Sequence, residues 1–100
     1  MSSYNKLVRD KIPQILDKKG VVYEQRIASQ EEYKAELIKK LSEEAAEFAE
    51  KGDAEELADV LEVIESLKTL PEYAQVEEIR LRKREERGGF DKRIILKGEK

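Results

Sequence analysis

One hundred residues, with 20 Lys and Arg against 23 Asp and Glu and a net charge of −3, provide for one small domain over 1–100 and not for two. The absence of both Cys and His excludes disulfides, thiolate nucleophiles, iron–sulfur clusters, nearly every zinc site and the serine and cysteine triads, so any catalysis rests on carboxylates, Lys, Arg, Tyr or a metal held by oxygen. No apolar run approaches the ~20 residues of a membrane span, Met1–Lys6 has no apolar signal-peptide region, and the mildly acidic balance argues against a polymeric nucleic-acid partner; a cytoplasmic protein with no membrane partner is expected.

In chain order, Asp10 is placed to cap a short helix over 11–19, with Pro13 in its first turn and Lys18-Lys19-Gly20 closing it. Val21–Ile27 is rich in β-formers and reads as a short strand or extended arm. Ser29 and Glu32 form a capping box that opens a helix running to about Glu50. Lys51-Gly52 is the turn, and Asp53 with Glu56 forms a second box opening a helix that ends before Pro71. A third long helix is expected from Glu72 to Arg87, stopping at Gly88-Gly89, and Lys92–Leu96 reads as a short strand able to pair with 21–27. The fold class is therefore mainly α, with one possible two-stranded pairing.

The two central helices carry acids where apolar residues belong. With Glu44 at the origin of a wheel of about 100° per residue, Leu37, Phe48, Leu41 and Tyr33 fall within roughly 60° of it, and Glu47 lies at the edge of that stripe. In the next helix Glu56 falls inside the stripe of Val60, Val63, Leu67 and Leu70, and Asp59 at its edge. Carboxylates are rarely buried without partners. Glu44 and Asp59, and likewise Glu47 and Glu56, are symmetric about the Lys51-Gly52 turn, so an antiparallel hairpin brings each pair to one level, with Glu44 and Asp59 roughly 10 Å below the turn. Neighbouring carboxylates ~5 Å apart repel by roughly 3 kcal/mol at an effective dielectric of 20, so something positive must stand among them. Oxygen donors alone suit a hard cation, Mg²⁺ or Mn²⁺ in its place. Other readings stand beside this one: Glu56 as the far end of its capping box, Glu47 as an i,i+4 partner of Lys51, and Glu43 as a solvated neighbour.

Glu43-Glu44-Ala45-Ala46-Glu47 followed by Glu56-Leu57-Ala58-Asp59 resembles the EExxE…ExxD signature of the all-α nucleotide pyrophosphohydrolases, which include the MazG-like proteins, phosphoribosyl-ATP pyrophosphohydrolase and the dimeric dUTPases. Tyr4-Asn5-Lys6-Leu7-Val8-Arg9-Asp10-Lys11-Ile12-Pro13 is similar to the opening of a small MazG-like subgroup labelled phosphoribosyl-ATP pyrophosphohydrolase-like, and Arg87-Gly88-Gly89-Phe90 with Ile94-Ile95-Leu96 to its end. The resemblance implies MazG-like helical hairpins assembled as an oligomeric four-helix bundle, a homodimer or homotetramer with sites near subunit interfaces. It implies Mg²⁺-dependent cleavage of a nucleoside triphosphate, or a related nucleotide, to the monophosphate and pyrophosphate. Glu44, Glu47, Glu56 and Asp59 would then be the metal ligands, with Glu43 and Glu44 the catalytic acids and Glu43 ordering the attacking water.

A polyphosphate substrate also needs cations from the protein. Lys6, Arg9 and Lys11 stand together in the opening segment with no apolar periodicity to explain them, and Arg87 and Lys92 flank Gly88-Gly89, whose backbone could approach a phosphate. A glycine C-cap with basic residues complementing the helix dipole explains the second set equally well. Two further functions fit the same sequence: a non-catalytic nucleotide- or metal-binding regulator of this fold, and a helical interaction module whose partner face holds Tyr73, Val76, Ile79 and Leu81.

Overall fold

A computed structural model describes residues 5–99; Tyr4, the first residue of the N-terminal motif, lies outside them. Among the described residues there are four α-helices, α1 (Ile12–Lys18), α2 (Gln30–Lys51), α3 (Ala54–Lys68) and α4 (Val76–Arg87), with a 3₁₀ turn at Pro71–Tyr73 and no strand. The fold is mainly α, and α2 and α3 form its central hairpin.

Local chemistry sets the ends of the hairpin. Ser29 caps α2, its hydroxyl accepting from the Glu32 amide at 3.2 Å, and Asp53 caps α3, accepting from the Glu56 amide at 2.9 Å. Both expected capping boxes close on one side only. The Glu32 carboxylate turns to Arg26, which donates two hydrogen bonds of 2.6 Å and holds that carboxyl below its ordinary range. The Glu56 carboxylate turns to Lys51, 3.3 Å away. Gly52 ends α2 in the left-handed conformation, φ 66° and ψ 19°, donating its amide to the Phe48 carbonyl.

Three expectations are corrected. Asp10 does not cap α1; the N-cap is Lys11 and no side chain caps the helix. An Asp10 cap would draw on the N–H two or three positions on; Pro13 has none, and the Ile12 amide donates to the Arg9 carbonyl at 3.1 Å instead. The 21–27 and 92–96 segments do not pair. Phe90–Arg93 is a turn instead, closed by the Arg93 amide on the Phe90 carbonyl with Arg93 at φ 58°, so the backbone has already left the β region where a strand was expected to start. On the other side, Val21 donates back to Leu16, and Tyr23 folds onto α1 through a 2.7 Å hydrogen bond to Asp17. The helix expected over 72–87 is broken at Ala74-Gln75 and is regular only from Val76.

The core is small. Among the described residues only Leu37 of α2 and Val63 of α3 are buried, at 3% and 7% exposure. The accessible surface is 9585 Å², against roughly 5,800 Å² for a compact monomer of this mass. The radius of gyration is 18.1 Å, against about 13 Å for a compact 100-residue domain. Ion pairs hold the arms to the hairpin: Arg9–Asp59 (2.8 Å) and Arg26–Glu32 on the N-terminal side, Lys34–Glu72 (3.4 Å) and Lys68–Glu77 (3.7 Å) on the C-terminal side.

Nothing lies within 4 Å of a Cβ built on Gly52, so a side chain there meets only the backbone cost of φ 66°. Gly52→Ala is expected to lower stability by about 1–2 kcal/mol and Gly52→Asn by less, measured by urea denaturation.

Candidate metal centre

The hairpin register does what symmetry about its turn requires. Glu44 of α2 and Glu56 and Asp59 of α3 each offer a carboxylate oxygen, and these oxygens lie within 4.8 Å of one another. All three residues are half-buried, so they face the helix–helix groove while remaining open to solvent on one side. The stripe positions of Glu44 and Glu56 account for this, since a side chain inside the apolar face of each helix is carried toward the other helix.

Each carboxylate has a cationic neighbour. Lys40 stands 3.9 Å from Glu44, one turn earlier on α2. Lys51 lies between two acids, 3.3 Å from Glu56 and 3.6 Å from Glu47. The hydrogen bond to Glu56, then the charges of Glu56 and Glu47, raise the Lys51 ammonium above its ordinary range, so it remains protonated at any physiological pH. Asp59 accepts a 2.8 Å hydrogen bond from the Arg9 guanidinium, from fifty residues away in sequence.

The four expected ligands are thus not equivalent. Glu44, Glu56 and Asp59 converge, whereas Glu47 is exposed and bound to Lys51 at the edge of the group. Glu43 is exposed, and among the described residues no ion pair involves it. Of the basic residues expected at phosphate, Arg9 reaches the acids, while Lys6 and Lys11 are exposed in the segment that carries it. Arg87 and Lys92 are exposed too, and no hydrogen bond or ion pair among the described residues links them to the hairpin. The C-terminal glycines serve a different neighbour. Gly88 donates to the Arg84 carbonyl at 2.7 Å, and a Cβ on Gly89 would lie 2.3 Å from Arg84 Nη1. Arg84 in turn binds Asp91 at 3.2 Å, so the Gly88-Gly89 corner is filled by a side chain of the same helix.

Sequence reading missed Lys40 and the pairing of Arg9 with Asp59. Lys40 was legible as an i,i+4 partner of Glu44. The Arg9–Asp59 pair was not, because no local pattern joins residues so far apart.

The donor set fits a hard divalent cation. All three groups are carboxylates, and the chain has no Cys or His to compete with them. Oxygens within 4.8 Å of one another stand close enough for side-chain rotation to bring all three to one cation. Comparisons with protein-family models, curated proteins and solved structures find no match for the chain.

Three carboxylates this close repel one another. Glu44→Gln keeps the shape and removes one charge. Its metal-free melting temperature is expected to equal or exceed that of the natural sequence at low salt, with the difference shrinking at high salt, as followed by calorimetry.

Proposed function

We propose that the chain is a divalent-metal-dependent nucleotide pyrophosphohydrolase of the MazG-like kind, converting a nucleoside triphosphate or related nucleotide to the monophosphate and pyrophosphate, in a housekeeping role on damaged or surplus nucleotides. The observation that carries the reading is the convergence of Glu44, Glu56 and Asp59 across a hairpin whose sequence resembles that family's acidic signature. In this reading Glu44, Glu56 and Asp59 hold Mg²⁺, or Mn²⁺ in its place, and Glu47 joins them by leaving Lys51. The cation supplies charge neutralisation for phosphate oxygens and lowers the pKa of bound water.

The remaining work belongs to side chains. Phosphoryl and nucleotidyl transfer asks a protein mainly for positioning and electrostatic stabilisation, so the lack of His and Cys is no obstacle. Glu43, open to solvent beside Glu44, is the carboxylate assigned to order the attacking water and take its proton. Lys6, Arg9 and Lys11 bind the phosphates, Arg9 being the one already at the acidic group. The exposed Arg87 and Lys92, which flank Gly88-Gly89, are the second cationic set offered to the phosphates.

The reading includes an oligomer, a homodimer or homotetramer built as a four-helix bundle. Two observations support it. The single chain exposes far more surface than a compact protein of its size. Helix α3 is also apolar on two sides: Val63 faces α2, while Leu57 and Leu61, roughly opposite Asp59 on the helix wheel, are 42% and 53% exposed. A second apolar patch on a helix suits a further packing partner, and one chain covers only the Val63 side.

Glu44→Gln and Asp59→Asn are expected to abolish Mg²⁺-dependent pyrophosphate release from a panel of normal and modified nucleoside triphosphates while leaving the fold intact. Wild-type turnover in Glu44→Gln would remove the assignment. Arg9→Ala is expected to raise KM for triphosphates about ten- to a hundredfold, as for loss of a charge-assisted contact. Light scattering at micromolar concentration should find dimers or larger species, and a strict monomer would exclude the bundle.

A further inference from the structure

We propose that Arg9 and the divalent cation compete for Asp59, and that the displaced Arg9 becomes a cationic contact for a polyphosphate ligand. The inference rests on the metal-centre reading above and goes beyond it, since it makes the N-terminal arm a counter-ion that the metal exchanges.

Three features single out Arg9 among the cations at the acidic group. Lys40 and Lys51 belong to the hairpin itself and stay beside their acids whatever the arms do. Arg9 comes instead from the segment before α1, and α1 has no buried residue to anchor it. The Arg9–Asp59 bond is the ion pair that ties this segment to the hairpin among the described residues, since Lys6, Asp10 and Lys11 make none. Finally, the pair is open to water, with Arg9 58% and Asp59 43% exposed, and pairs of that kind contribute little stability and are easily exchanged.

The electrostatics give the direction. A guanidinium hydrogen-bonded to a ligating carboxylate stands well within a Debye length of any cation on that carboxylate, so the two repel with little screening. The divalent cation has three carboxylates to hold it and Arg9 has one, so the cation prevails. Arg9, once released, remains beside a site to which phosphate oxygens are drawn, and its planar fork suits them. One residue therefore opposes metal binding and favours polyphosphate binding. A residue that merely packs the arm, or merely orients Asp59, has no such pair of opposite effects.

The test compares the full chain with Arg9→Ala and Arg9→Lys in two titrations. The first uses Mn²⁺ alone at low salt, followed by calorimetry or electron spin resonance. The second uses the preformed Mn²⁺–tripolyphosphate complex on Mn²⁺-loaded protein. Arg9→Ala is expected to tighten Mn²⁺ binding about two- to fivefold, an advantage that disappears in high salt, and to weaken tripolyphosphate binding about ten- to a hundredfold. Arg9→Lys should lie between on both. Equal Mn²⁺ affinity in the natural chain and Arg9→Ala overturns the competition, and weaker Mn²⁺ binding in Arg9→Ala overturns it in favour of an orienting role. Unchanged tripolyphosphate binding overturns the transfer. Failure of the natural chain to bind Mn²⁺ at all overturns the metal centre and this inference with it, an outcome distinct from the others.

Discussion

Repulsion among carboxylates is the constraint around which this molecule is arranged. Glu44, Glu56 and Asp59 are held together by the packing of α2 on α3, and that packing rests on a core in which, among the described residues, only Leu37 and Val63 are buried. So small a core leaves little margin against three like charges placed beside it. The compensation is distributed: Lys40 at Glu44, Lys51 at Glu56, Arg9 at Asp59. Lys40 and Lys51 belong to the hairpin itself, Lys51 serving Glu47 as well as Glu56, while Arg9 comes from the N-terminal arm.

The wider charge distribution follows the same logic. Residues 30–68 carry 13 acidic and five basic side chains, while the flanking 5–29 carry six basic and three acidic. The N-terminal arm is tied by its own cations to hairpin acids, through Arg9 and Arg26. The C-terminal arm is tied the other way, by hairpin lysines to its acids, Lys34 to Glu72 and Lys68 to Glu77, with Lys34 also 5.4 Å above the Tyr73 ring. Arms attached chiefly by surface pairs are attached weakly. This agrees with the exposure of their apolar residues, Val22, Ile27, Phe90 and Ile95 each more than 90% exposed.

What could be read in the sequence was what is local. Ser29, Asp53 and Gly52 announce their caps and turn because capping depends on residues three or four positions apart. The register of Glu44 with Asp59 followed from the turn position alone. The failures have equally physical causes. Lys92–Leu96 has a strand's composition, but strand formation depends on a partner and a face to pack on, and a turn with Arg93 at φ 58° was cheaper than an isolated two-stranded ribbon. Asp10 has a cap's chemistry but finds no donor, because Pro13 lacks an N–H and Ile12 gives its own to the Arg9 carbonyl. The far ends of the two capping boxes were misassigned because Glu32 and Glu56 find charged partners in Arg26 and Lys51, and a charge-assisted bond outweighs one to a neutral amide. Arg9 at Asp59 is a tertiary fact with no local signal.

Lys51 shows how closely cap, turn and site are joined. As the last residue of α2 it is a favourable cation at a helix C-terminus, and as the residue before Gly52 it belongs to the turn. Its ammonium reaches across that turn to Glu56, which Asp53 has oriented by accepting from its amide. The turn therefore fixes more than the direction of the chain. Lengthening it by one residue would shift α3 by one position against α2, about 100° of rotation and 1.5 Å of rise, and carry Asp59 and Glu56 out of level with Glu44 and Glu47. A site assembled from matched positions on two helices is defined by the length of the link between them. The strain-free left-handed Gly52, rather than any one acid, is the residue on which both pairs, Glu44 with Asp59 and Glu47 with Glu56, depend for their matched levels.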